Sequence, residues 1–272
     1  MITPQSPPLA YLFLDMNSFF ASCEQQTNPA PRGKPVGVVP MKNVDTTCCI
    51  AASYEAKRYG VKTGTGVAEA RRLCPEIAFA EARPELYVRI HERLIATVET
   101  CLHVDAVMSI DELICRLIGD HRVEETARSI AAEIKAAVRR DLGRWLTCSI
   151  GIAPNRILAK MAADIVKPDG LTVIRGEELP ERLFKLKLTD FPGIGPRMEK
   201  RFHRWGVATV AQMAAMTVDQ LSRVWESKHL GRGWWHKLRG DDVPEPPTKR
   251  RSVGHSHVLP PELRHEDEAA RC

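Results

Sequence analysis

No stretch of the 272-residue chain approaches the roughly 18 to 20 uninterrupted apolar residues of a membrane span, and the opening MITPQSPPLA has neither the basic flank nor the apolar core of a secretion signal. The sequence therefore predicts a cytoplasmic protein that does not enter the membrane. None of the eight cysteines forms a Cys-x-x-Cys pair, and several sit in apolar runs, which predicts buried free thiols rather than disulfides or zinc. Internal repeats and low-complexity tracts are also missing. What is present is 44% hydrophobic residues, enough for the cores of two or three compact units. The net charge of +5 is unevenly spread: residues 181–251 hold 15 Lys and Arg against 8 Asp and Glu. That basic excess suits a phosphate-tracking surface if a local motif supports it.

The apolar run Tyr-Leu-Phe-Leu reads as a buried strand ending at Asp15, followed by a helix through SFFASCEQ. Strands are predicted at VGVVP and CCIAAS, and a helix over 84–102 with Leu86, Ile90, Leu94 and Val98 at helical spacing. AVMSIDELICRL has strand character broken at its acids. Residues 122–142 give the clearest helix, with Val123, Ala127, Ile130, Ile134, Ala137 and Val138 in one stripe and Gly143 as its stop. A strand LTCSIGIA, a helix from Asn155 to Val166, a KPDG turn and a strand LTVI complete an α+β order around one sheet. From about 176 only short helices follow (LPERLFKL, PRMEKRFHRW, TVAQMAAM, VDQLSRVW), which sets a boundary near 175; DDVPEPPTKRR then reads as an extended linker.

Asp15 and the adjacent pair Asp111 and Glu112 are the candidate chemical centre. Neighbouring strand residues point to opposite faces, so Asp111 and Glu112 can share a site only near a turn, bulge or strand end. If they converge with Asp15, a divalent cation relieves the repulsion, and hard oxygen ligands of this kind suit Mg²⁺ or Mn²⁺ held partly through substrate phosphates. Tyr54, Lys57 and Arg58 lie within one turn of SYEAKRYG, and Lys167 follows a helix in KPDG; both are candidate contacts to a triphosphate. In FPGIGPRMEK, Gly193 and Gly195 precede a helix starting at Pro196, so backbone N–H groups can meet a phosphate beside Arg197, Lys200, Arg201 and Arg204.

In order and spacing, LDMNSFFASCEQ, AASYEAKRYGVKTG, MSIDE, SIGIAPNRILAKMAADIVKPDG, FPGIG and RRSVG resemble the Y-family, or translesion, DNA polymerases, the DinB branch in particular. The resemblance runs from about residue 10 to the end. It implies an α+β fold: a ferredoxin-like palm (1–18 and 83–175), small fingers (19–82), an all-helical helix-hairpin-helix thumb (176–241), a linker (242–250) and the start of a truncated little-finger domain (251–272). By position, Asp15, Asp111 and Glu112 match the metal ligands, with Met16 contributing its carbonyl; two Mg²⁺ ions are implied, Mn²⁺ serving as a substitute. Phe19 and Phe20 match nucleotide-binding positions, with Phe20 at the steric gate under the incoming sugar, where an aromatic wall leaves no room for a 2′-hydroxyl. Tyr54, Lys57 and Lys167 match triphosphate contacts, and Gly193, Gly195, Arg197 and Lys200 match the DNA-binding hairpin. The implied activity is template-directed addition of dNTPs to a primer 3′-end in DNA damage tolerance. Primer-template DNA is the implied partner, with a sliding clamp or another repair protein beside it, and the chain acts as a monomer.

Three positions depart from the family pattern: Asn17 where Asp is common in this branch, Lys57 where Arg is common, and Ala51 where Thr is frequent. Lys57 keeps the charge and loses the bidentate fork. One alternative is a non-catalytic, DNA-binding or partner-recruiting relative, against which the retained acids argue. A nucleotidyl cyclase is a second, but it needs neither the fingers segment nor the PGIG hairpin.

Overall fold

A computed structural model describes residues 6–244; the rest of the expected linker from 245 and the expected first strand at 251–272 lie outside them. The strands are β1 (Tyr11–Met16), β2 (Val36–Val39), β3 (Ala51–Ala52), β4 (Ala78–Glu81), β5 (Ala106–Val107), β6 (Glu112–Arg116), β7 (Cys148–Ala153) and β8 (Leu171–Val173). The helices are α1 (Phe19–Thr27), α2 (Tyr54–Lys57), α3 (Val67–Leu73), α4 (Pro84–Glu99), α5 (Glu124–Asp141), α6 (Arg156–Ile165), α7 (Pro196–Arg204), α8 (Val210–Ala215), α9 (Val218–Val224) and α10 (Lys228–Lys237).

The chain divides into two compact units. One runs to Asn17 and continues through Arg93–Leu142 and Thr147–Pro244; the other is Ser18–Glu92 with Gly143–Leu146. The first holds a five-stranded sheet in the order β5-β6-β1-β7-β8, antiparallel except for β7 and β8. Its central strand β1 is buried along Tyr11–Leu14, as an apolar run flanked by β6 and β7 requires. The α5 stripe is buried from Ala127 to Val138, whereas Val123 caps the helix and is exposed. Helix α6 lies against β1 and β7, and Gly151 makes that approach close: a Cβ there would stand 2.0 Å from the Ala159 carbonyl oxygen.

The all-helical segment continues the same apolar core: Leu158, Ala162, Leu183, Phe191, Phe202, Val210, Leu221 and Trp234 belong to one buried cluster. The carbonyls of Lys237 and Asp241 accept from Asn155 Nδ2 at 2.9 and 3.1 Å, which ties α10 to the start of α6. LPERLFKL, expected as a helix, makes only a single 3₁₀ turn at Glu181–Leu183, since one isolated turn gains too few backbone bonds to propagate.

The second unit corrects the expectation of a single sheet. Strands β3, β2 and β4 form a separate three-stranded sheet, β2 and β4 parallel, over a small core of Val39, Cys49, Ala52, Val61, Val67 and Cys74. CCIAAS contributes only two paired residues to it. The cysteines at 23, 49, 74, 115 and 148 are buried free thiols.

Candidate functional site

Register decides the centre of the first unit. Asp15 is the Cα partner of Glu112 across β1 and β6, and directly opposed residues of an antiparallel pair project to the same face. Asp111 precedes β6 at a bend, where strand alternation no longer applies; its carbonyl accepts from Met16 N–H at 2.9 Å. Like charges directly opposed are destabilising, so the pair must be neutralised. Two ammonium groups do this: Lys160 of α6 pairs with Glu112, and Lys167, just beyond α6, lies 2.7 Å from Asp15 and 2.8 Å from Asp164. The Asp111 carboxylate instead accepts from Ser109 Oγ at 2.6 Å. Among the described residues no three His, Cys, Asp or Glu side chains converge as a metal-binding group.

Burial pushes Asp15 up to about 6, Lys167 opposing this and Asp164 and Glu112 adding to it. Burial alone would lower Lys167, but its bonds to Asp15 and Asp164 outweigh burial and leave it raised. Asp15, Asp111 and Glu112 offer hard oxygen donors, the chemistry that suits a divalent cation such as Mg²⁺ or Mn²⁺.

Asn17, which departs from the family pattern, is a buried connector. Its Nδ2 donates to Ser149 Oγ at 3.0 Å, and its Oδ1 accepts from Asp169 N–H at 2.7 Å and from Thr147 Oγ1 at 3.1 Å. Lys160 and Asn17 were not singled out as site residues from sequence. The four- and three-residue steps from Lys160 to Asp164 and Lys167 are the signal that identifies the lysine pair.

In the second unit, Phe19 is buried at 3% exposure, whereas Phe20 is only partly buried. One face of Phe20 stacks on Tyr87, with centroids 4.4 Å apart. Tyr87 donates to Glu24 at 2.8 Å, and Glu24 takes two bonds from Arg83. Burial raises the Tyr87 phenol, which keeps it a donor at neutral pH. Tyr87 and Glu24 thus hold the Phe20 ring, a support the sequence did not reveal. Tyr54 and Lys57 share α2, with the Lys57 ammonium 4.5 Å from the Tyr54 ring centre.

In the helical segment Gly193 has φ of 92°, a left-handed conformation that favours glycine, and Gly195 caps α7 with Pro196 in its first turn. Arg197 and Lys200 are exposed and make no ion pair among the described residues. Arg201 differs: it donates to the Val224 carbonyl at 3.2 Å and pairs with Glu226, so it fastens helices together.

A sequence model of the impB/mucB/samB family matches residues 14–164, and a second, the IMS family HHH motif, matches 176–207. A DNA polymerase IV of Moorella thermoacetica is 35% identical over 268 residues, 97% of this chain and 66% of that protein. A DNA polymerase IV of Pelotomaculum thermopropionicum is 34% identical over 256 residues, 92% and 62% respectively. The chain thus spans less than two thirds of the length of these curated relatives. Among solved structures, an insertion ternary complex of Dbh DNA polymerase superposes with a TM-score of 0.74 at 29% identity, covering 87% of this chain and 69% of that one. No helix among the described residues is long and apolar enough to cross a membrane.

Proposed function

The chain belongs to the impB/mucB/samB family and, within it, to the DinB-like Y-family polymerases; on that premise we propose that it is the catalytic core of a template-directed DNA polymerase of the translesion type. The observation that carries this reading is the Asp15–Glu112 pair on one sheet face, with Lys167 on Asp15. In this reading the five-stranded sheet is the palm, the three-stranded sheet the core of the fingers, and the helices from α7 onward the thumb.

Asp15, Asp111 and Glu112, with the Met16 carbonyl, hold the divalent cations. When bound, these lower the pKa of the primer 3′-hydroxyl and neutralise the charge that develops on the phosphates. Lys167 exchanges its ion pair with Asp15 for one with the dNTP phosphates, which Tyr54 and Lys57 also contact. The Phe20 ring, braced by Tyr87, closes the space beside the sugar C2′ and excludes ribonucleotides. Gly193, Gly195, Arg197 and Lys200 take the DNA backbone at the α7 N-terminus, where unpaired N–H groups and positive charge suit a phosphate. Similarity to the insertion ternary complex of Dbh DNA polymerase supports primer-template DNA and dNTP as substrates; a sliding clamp or another repair protein as partner, and a monomeric chain, belong to the same proposal.

The test is single-nucleotide primer extension with each dNTP opposite each of the four template bases, in Mg²⁺ and in Mn²⁺. The expected product is one added nucleotide that follows the template base. Addition indifferent to the template, or none with either metal, contradicts the reading.

A further inference from the structure

The loop between α6 and β8 carries Lys167, and its backbone is held by an unusual convergence on one side chain. Lys135 projects from α5 with 16% of its side chain exposed and donates to three carbonyls: Cys148 at 3.2 Å, Asp169 at 2.5 Å and Gly170 at 3.0 Å. Those three bonds use every N–H an ammonium has. The Asp169 carboxylate lies 2.9 Å from the same ammonium as an ion pair, and Arg139 pairs with that carboxylate too. From the opposite side Asn17 Oδ1 accepts from Asp169 N–H at 2.7 Å, and Ser149 Oγ accepts from Gly170 N–H at 3.2 Å. Asp169 itself is left-handed, with φ of 59°.

We propose that Lys135 is a positioning residue for nucleotide binding: it fixes the backbone at Asp169 and Gly170 so that Lys167, two residues earlier, meets the triphosphate. This rests on the reading of Lys167 as a phosphate contact. A fold that needed only a filled space between α5 and β7 would be served as well by an apolar side chain, because burying an ammonium is costly unless every donor is met. The ammonium instead clamps a loop, the part of a fold most prone to move, at the place where displacement of one cation by an ångström weakens its contact with substrate. Asn17 cooperates from the turn just past β1, the strand that carries Asp15, so the loop and Asp15 are set against one another.

The experiment compares Lys135→Met and Lys135→Arg with the unaltered chain in single-nucleotide insertion on saturating primer-template. It measures KM for dNTP, kcat, DNA affinity, thermal melting, and hydrogen exchange at the Asp169 and Gly170 amides. For Lys135→Met the dNTP KM should rise about tenfold while kcat and DNA affinity change by less than about twofold. Exchange at the two amides should quicken, and Lys135→Arg should recover part of both effects. An unchanged KM in an active variant overturns the proposal. So does a parallel loss of kcat, dNTP binding, DNA affinity and melting temperature without arginine rescue, which marks a purely structural lysine. Failure of the polymerase reading is seen separately, in an unaltered chain that adds no nucleotide while its two amides stay protected, and that result overturns the role of Lys135 in nucleotide binding as well.

Discussion

Phe20 is the residue at which a single side chain decides what the site admits. Phe19 is buried, whereas Phe20 is only partly buried, with its ring stacked on Tyr87. Replacing Phe20 with alanine removes the wall and leaves Glu24, Arg83 and the helix they brace in place. Phe20→Ala is therefore expected to raise ribonucleotide use relative to deoxyribonucleotide, read as the ratio of the two kcat/KM values. A ratio equal to that of the unaltered chain returns Phe20 to the role of packing residue. Of the two acids that pair across β1 and β6, Asp15 was legible as a carboxylate closing an apolar run. Its opposition to Glu112 was not, because register is set by pairing partners that periodicity alone does not reveal. In sequence Asn17 is a departure from a family pattern. In three dimensions it is an amide with both ends bonded, which an aspartate could not reproduce because it has no donor.

At the scale of elements, the close seat of α6 on β7 fixes where Lys160, Asp164 and Lys167 emerge. A Cβ at Gly151 would meet the Ala159 carbonyl oxygen at 2.0 Å and the Ala163 nitrogen at 2.3 Å, both backbone atoms of α6. Gly151→Ala should therefore lift the helix and cost about 3 kcal/mol or more, at or beyond the upper end of ordinary overpacking. Urea denaturation checks this, and a loss below about 0.5 kcal/mol, the range of inert surface changes, contradicts it. The long elements were readable because their signals agree: α4 buries Ile90, Leu94 and Val98, and α5 buries its stripe from Ala127 onward. The separate sheet escaped because AFAE in β4 has no β-branched residue and β3 pairs over only two positions. Helix α10 escaped because Gly231 and Gly233 interrupt KHLGRGWWHK, each costing about 1 kcal/mol in helix propensity; the stacking of Trp234 on Trp225 and the burial of Leu238 support it instead.

For the molecule as a whole, the uneven charge seen in the sequence resolves into two roles, with Arg201 joining helices while Arg197 and Lys200 stand exposed at the start of α7. If these two meet DNA phosphates, replacing both by alanine should reduce the salt slope of primer-template binding by roughly 0.9 per lost contact on a log-log plot. A slope equal to that of the unaltered chain would move the DNA path elsewhere. The carboxylates carry the proposed chemistry, and the decisive experiment is single-turnover insertion of one complementary dNTP by Asp15→Asn in Mg²⁺, with melting temperature and primer-template affinity measured alongside. The insertion rate should fall by about 100-fold or more, the scale on which removal of an electrostatic stabiliser is felt, with the fold and DNA binding retained. A folded, DNA-binding Asp15→Asn chain that inserts nucleotide at a rate within about twofold of the unaltered one would contradict it.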